Sequence, residues 1–139
     1  MKKGLLLLVS CMVLSCTPKT DAPAIHISLI DSGNTLKITG LNYAIMQDVN
    51  RDSSNGWQNL LQVYRMPADT DMKDYQPMQP GSYAIKDSAI IFKPDTPFAK
   101  HQLYFMRWYR YSSTADIWGF IKGKRQPGKT PYTDLIFKQ

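Results

Sequence analysis

Short runs of alternating apolar and polar residues recur through most of this 139-residue chain, and they constrain its fold more than any other feature. Such alternation places successive side chains on opposite faces and is typical of half-buried strands. Turn residues bound the runs, as at Asp31-Ser32-Gly33-Asn34 and Asp87-Ser88. All eleven acidic residues are Asp, so the strong helix former Glu does not occur. The pattern therefore predicts an all-β domain.

The predicted strands follow one another at short intervals between residue 24 and the end of the chain. They cover residues 24–30, 35–41, 43–46, 60–66, 82–86, 89–93, 102–112, 116–122 and 132–138. The strand over 116–122 is expected to be the hairpin partner of 102–112. Residues 48–56 are predicted to be a polar loop, and residues 67–81 an irregular segment with a helical turn near 69–75. Seven to nine short strands with turns between them indicate a single β-sandwich.

The first fifteen residues have a different composition. Lys2 and Lys3 precede a nearly continuous apolar stretch over residues 4–14. A basic start followed by about 7–15 apolar residues is typical of a secretory signal peptide, whereas a membrane-spanning helix needs roughly 20. We therefore expect an exported protein whose residues 1–15 are removed.

This segment ends in Val13-Leu14-Ser15-Cys16, which resembles the lipobox of bacterial lipoproteins. The resemblance implies that a diacylglycerol is attached to the Cys16 sulfur and that the chain is cut before Cys16. Buried acyl chains then hold the protein at a membrane without a spanning helix. Cys11 lies in a similar setting, but choosing it leaves only residues 5–9 as the apolar core, which is too short.

The lipobox also implies a domain organisation and a location. Residues 16–23, which are polar and contain two prolines, are expected to be the lipidated tether, and residues 24–139 the sandwich domain. In lipoproteins a residue other than Asp after the lipidated Cys usually goes with the outer membrane, and Thr17 fits that rule. Whether the domain faces the periplasm or the exterior stays open.

A proline-rich corner between two predicted strands points to a fold family. Ile90-Ile91-Phe92-Lys93-Pro94 ends in Phe-x-Pro, and after Pro97 the next strand opens with Tyr104. This order resembles a stretch common in bacterial immunoglobulin-like domains. The resemblance implies an immunoglobulin-like β-sandwich in which the Tyr104 hydroxyl bonds to backbone at the corner. One departure is the strand over 132–138, which lies beyond the hairpin that usually closes such a domain.

The charged residues narrow the classes of partner. The formal net charge is +6, and it falls to +4 once Lys2 and Lys3 are removed with the signal peptide. The basic residues concentrate after residue 100. A basic end can meet acidic lipid headgroups, an anionic glycan or a protein, although a solvated face is more common. An exported chain has no reason to meet nucleic acid, so we expect no nucleic-acid partner.

No residue pattern in the sequence is typical of catalysis. The two histidines, His26 and His101, lie far apart, and after processing Cys16 is the only cysteine. No Gly-x-Ser-x-Gly elbow occurs. We therefore predict a protein that is not an enzyme and has no catalytic residues, metal or cofactor.

Aromatic and arginine side chains are concentrated in residues 103–111, Leu-Tyr-Phe-Met-Arg-Trp-Tyr-Arg-Tyr. One interpretation is a central strand covered on both faces, with arginine stems lying along aromatic rings. The other is an open patch, because Trp, Tyr and Arg dominate binding hot spots and can also stack on sugars. The candidate binding patch comprises Arg107, Trp108, Tyr109, Arg110, Tyr111 and Trp118.

These features together predict a non-catalytic envelope lipoprotein that binds a protein partner, as an accessory of an envelope or secretion assembly. Small β-sandwich lipoproteins of type VI secretion systems share this general architecture, although no motif ties the chain to them. The alternative is a glycan-binding surface lipoprotein that uses the same patch. A glycan site needs coplanar exposed rings in a groove, whereas a protein site needs a flatter apolar patch or an unpaired sheet edge.

Overall fold

The computed structural model describes residues 24–52, 56–110 and 131–139, which contain seven strands and two short helices. The predicted signal peptide and tether lie outside these residues. The strands are β1 (His26–Ile30), β2 (Thr35–Thr39), β3 (Leu61–Arg65), β4 (Gly81–Lys86), β5 (Ala89–Pro94), β6 (Leu103–Tyr109) and β7 (Tyr132–Lys138). The helices are α1 (Tyr43–Asp52) and α2 (Gly56–Leu60), and Asp31–Gly33 and Thr70–Tyr75 form 3₁₀ turns.

The strands form two antiparallel sheets. One has the order β1-β2-β5-β4 and the other the order β3-β6-β7. The described residues are thus mostly β-structure, which confirms the predicted all-β character. The hairpin predicted between 102–112 and 116–122 is wrong over residues 103–109, because β3 and β7 occupy both edges of β6. Residues 116–122 themselves lie outside the described part of the chain.

The described residues just before β3 form α1 and α2, so the strand predicted over 43–46 is wrong, and the loop predicted over 48–56 is wrong at residues 48–52 and 56. Residues 53–55 of that loop lie outside the described part of the chain. The Asn42 side chain accepts a hydrogen bond from the Ala44 N–H at 2.8 Å and so caps the first turn of α1. Met46 and Val49, three residues apart, are both fully buried. The spacing places them on one side of the helix, facing the core.

The core lies between the two sheets. The alternation of each strand sends every second side chain into this space, as the sequence pattern predicts. From the first sheet come Leu36, Ile38, Ile90 and Phe92, and from the second Leu61, Val63, Tyr104 and Met106. Met46, Val49, Trp57 and Leu60 from the helical segment complete the cluster. Each fully buried large side chain contributes about 1.5–3 kcal/mol to folding.

Tyr104 fixes the corner between β5 and β6. Its hydroxyl accepts a hydrogen bond from the Ala99 N–H at 2.9 Å, which confirms the expected bond to backbone. Its ring stacks on Phe137 at 5.6 Å and lies 4.8 Å from Phe98. The buried ring therefore joins the start of β6, the end of β7 and the corner loop.

Neither helix among the described residues combines the length and the apolar character needed to span a membrane.

Candidate functional site

The two faces of β6 have different surroundings. Tyr104 and Met106 belong to the core, and Trp108 packs against it. Because side chains alternate, Leu103, Phe105, Arg107 and Tyr109 lie on the opposite face of the three-stranded sheet. We call this surface the outer face. It comprises Gln62 and Tyr64 of β3, the four odd-numbered residues of β6 just named, and Tyr132, Asp134, Ile136 and Lys138 of β7.

The structure separates the members of the predicted binding patch. Arg107 and Tyr109 lie together on the outer face, whereas Trp108 points to the core side. Arg110 is exposed just beyond the end of β6, where its N–H donates to the Pro131 carbonyl at 2.8 Å. Tyr111 and Trp118 lie outside the described residues.

Arg107 is the centre of the outer face, and it is only 8% exposed. Its Nε and Nη2 donate to the two carboxylate oxygens of Asp134 at 2.8 and 2.9 Å, and Nη2 also donates to Asp74 at 2.8 Å. The guanidinium carbon lies 3.9 Å from the centre of the Tyr132 ring. Bidentate pairing and stacking both use the planar guanidinium, so lysine would not replace this residue.

The 3₁₀ turn Thr70–Tyr75 lies over the outer face. Lys73 forms an ion pair with Asp134 at 2.7 Å, and its Nζ is 4.6 Å from the centre of the Phe105 ring. Asp69 caps the turn by accepting from the Asp71 N–H at 3.0 Å. The turn predicted near 69–75 is therefore confirmed. The ion pairs of Lys73 and Asp74 hold the turn against the sheet, and the Lys73 side chain lies over the Phe105 ring.

The charge network shifts the pKa values of Arg107 and Asp134. The hydrogen bond to Asp134 raises the pKa of Arg107 further above its ordinary value, although burial acts in the opposite direction. For Asp134, burial raises the pKa, but the hydrogen bonds and charges of Arg107 and Lys73 outweigh it and bring the pKa below 3.8. Both groups therefore stay charged at neutral pH.

Acid should weaken the fold through Asp134. Because the Asp134 pKa is lower folded than unfolded, the unfolded chain binds more protons near pH 3.8, and the unfolding free energy falls as pH drops through this range. We expect Asp134→Asn to flatten the acid limb of stability against pH, measured by urea unfolding between about pH 2 and 5. Parallel curves for parent and variant would contradict this assignment.

The rings of the outer face do not present a flat stacking surface. Tyr109 and Tyr132 meet edge to face at 65°, and the Arg107 guanidinium lies against the Tyr132 ring. Tyr64 stacks on Phe105 at 5.0 Å, but Phe105 is buried. No coplanar pair of exposed rings therefore occurs among the described residues of this face.

Exposed apolar side chains surround the charge network. On the sheet, Leu103 and Tyr132 are each 43% exposed and Ile136 is 59% exposed. Met72 and Tyr75 are exposed in the covering turn, next to the two residues that bind the sheet. We call these five residues the apolar rim. Its members lie on the strands and the turn that carry the charge network, whose charges are paired with one another.

Sequence reasoning missed the role of Asp74 and Lys73. The sequence predicts a helical turn near 69–75, which Asp69 caps, but assigns no partner to the other charged residues of the turn. The available signal was Arg107 itself, because an arginine among buried strand residues needs a carboxylate partner. The sequence does not show which Asp fills that role.

No cluster of three or more potential metal ligands occurs within the described ranges. Comparisons of the chain with known protein families, curated proteins and solved structures find no match.

Proposed function

We propose that this protein is a non-catalytic envelope lipoprotein that binds another protein through the apolar rim. The main support is that large apolar side chains remain exposed around a network whose charged groups are already paired with one another. Monomeric proteins rarely expose contiguous apolar surface without a use for it, and such surface surrounded by polar groups is typical of interaction sites.

The geometry favours a protein over a glycan. Sugar stacking needs an open ring face beside hydrogen-bonding groups, and Arg107 already covers one face of the partly exposed Tyr132 ring. The Asp134 carboxylate, which could accept from sugar hydroxyls, is taken up by Arg107 and Lys73. A glycan-binding surface lipoprotein thus remains the second candidate, with less support from the outer face.

We further propose that the domain is immunoglobulin-like. If the strands are lettered A to G in chain order, the two sheets read ABED and CFG, the strand order of constant-type immunoglobulin domains. The Tyr104 hydrogen bond to Ala99 supports the same assignment, because it corresponds to the tyrosine corner before strand F. In this scheme β7 is strand G itself, rather than a strand added beyond the domain.

The anchor completes the proposal. Cys16 carries the lipid, residues 16–23 are the tether, and the domain from residue 24 onward is held at the outer membrane. A protein kept at that surface with no catalytic constellation suits an accessory of an envelope or secretion assembly, of which type VI secretion systems are one example. The membrane and an envelope protein are then its two partners.

The test is a substitution in the apolar rim. We expect Leu103→Ser in the tagged full chain to reduce recovery of the partner from solubilised membranes at least tenfold, about 1.4 kcal/mol of binding energy. Because Leu103 is exposed, its unfolding free energy should change by only about 0.5 kcal/mol. Ala84→Ser, an exposed position of β4 on the other sheet, is the matched control and should leave recovery unchanged. Equal recovery with Leu103→Ser and parent would refute the site.

A further inference from the structure

The described residues leave three strand edges without a partner strand. They belong to β1, β4 and β7, the outermost strands of the two sheets. The outer edge of β3 is different, because Met78 bridges to Tyr64 and the Gln79 N–H donates to the Val63 carbonyl at 2.7 Å. An open edge presents unpaired N–H and C=O groups to any strand that fits it.

On β7 the register identifies these groups. Two backbone hydrogen bonds flank the β6–β7 pair. The Arg110 N–H donates to the Pro131 carbonyl, and the Gln139 N–H donates to the Gln102 carbonyl. Antiparallel strands bond through alternate residues, so the odd-numbered residues of β7 bond to β6. The backbone groups that point away from the sheet belong to Tyr132, Asp134, Ile136 and Lys138.

This edge also differs in its side chains. Neither β1 nor β4 exposes a large apolar residue, and the outward positions of β4 include Lys86, a charge typical of protected edges. On β7, Ile136 is exposed in the middle of an unbroken seven-residue register that contains no proline or bulge. A regular edge that carries an exposed isoleucine is suited to strand pairing.

We propose that β7 pairs antiparallel with β7 of a second copy of this chain, about a two-fold axis at Ile136. This register places Ile136 opposite Ile136 of the second copy, and Asp134 opposite Lys138 of the second copy. A register shifted by two residues would instead place Ile136 opposite Asp134 or opposite Lys138 of the second copy. A two-fold arrangement makes each contact twice and forms a closed dimer, to which no further copies add through the same edge.

The dimer joins the two three-stranded sheets into one six-stranded sheet. The side chains of Ile136 stay on the outer face, so the apolar rims of both copies lie on the same side of the joined sheet. The inference goes beyond the proposed function, because a monomer can bind its partner through Leu103 and Tyr132 alone.

Site-specific cross-linking tests the register. In the proposed dimer the two Ile136 Cα atoms lie about 5.5 Å apart. Two Tyr132 residues lie about 27 Å apart along the strands, at about 3.4 Å per residue. With a short bifunctional thiol reagent, full-length Ile136→Cys should therefore give a covalent dimer as its main product. Tyr132→Cys, also exposed on the same face of β7, should give none, and the parent chain controls for Cys11 and Cys16.

A second variant tests the same pairing without a reagent. Ile136→Lys would place two ammonium groups opposite each other at the axis, and native mass spectrometry of the full chain in detergent should show loss of the dimer. No cross-linked dimer with Ile136→Cys, or equal amounts with Tyr132→Cys, would overturn the proposal. Loss of partner recovery with Leu103→Ser is measured separately, so the two proposals can fail independently.

Discussion

Asp134→Ala is expected to lower the unfolding free energy by about 3 kcal/mol. Arg107 is buried and donates two of its hydrogen bonds to the Asp134 carboxylate. Removing that carboxylate leaves a buried guanidinium with only Asp74, whose side chain is 64% exposed. Removing one partner of a buried ion pair lowers the unfolding free energy by more than the intact pair contributes, because the remaining charge stays desolvated. The measurement is urea unfolding of the parent and the variant. The two are analysed with the same slope of unfolding free energy against urea concentration.

Two further variants show whether this loss comes from the buried charge. Asp74→Ala removes the exposed partner of the same guanidinium and should cost less than about 1 kcal/mol. The double change Arg107→Met with Asp134→Leu removes both buried charges and should recover most of the loss. If Asp134→Ala costs no more than Asp74→Ala, Arg107 is not held as the structure indicates.

Cys16→Ala is expected to release the protein completely from the membrane fraction. The proposed acyl chains provide about 0.8 kcal/mol of attachment for each buried CH₂ group and are the proposed direct attachment of the protein to lipid. Fractionation and the intact mass of the mature chain measure the change, and Cys11→Ala is the matched control that should stay anchored. Unchanged membrane association, or an unmodified Cys16 thiol in the parent, would contradict the lipid anchor.

Local sequence patterns predict the β4–β5 hairpin and the corner before β6. Both residues of the Asp87-Ser88 turn have positive φ, at 50° and 58°, as a two-residue hairpin turn requires. The six register pairs of the hairpin follow from the alternation on either side. The Tyr104 hydrogen bond spans five residues. These features lie close in the sequence, so short patterns determine them.

The strand partners of β6 depend on long-range pairing. A hairpin to residues 116–122 is the nearest solution in sequence, but β7 occupies that edge of β6. Alternation identifies which face of a strand is buried and does not identify the strand beside it. Helix α1 was missed for a related reason: the pair Ile45-Met46 fits a short strand as well as a helix, and the cap at Asn42 is a single-residue signal.

In the candidate site, too, the short local pattern was predictable from the sequence, whereas the long-range contacts were not. The segment 103–111 was recognised from its composition, and its two interpretations differed in what covers the outer face. Asp74 lies 33 residues from Arg107 in the sequence, and Asp134 lies 27 residues from it. The Arg107 guanidinium itself lies against the Tyr132 ring, whereas the first interpretation places the aliphatic stems of the arginines along the rings. The exposed residues that remain, such as Leu103 and Ile136, are aliphatic and were not part of the predicted patch.

The central claim is that a partner protein docks on the outer face of the three-stranded sheet. The most direct measurement places a photoreactive residue at position 103 or at position 84 of the full chain in its native membrane. Both positions are exposed, but they lie on different sheets. We expect a covalent adduct with a different protein from position 103 and none from position 84. Adducts from position 84 alone, or from neither position, would contradict it.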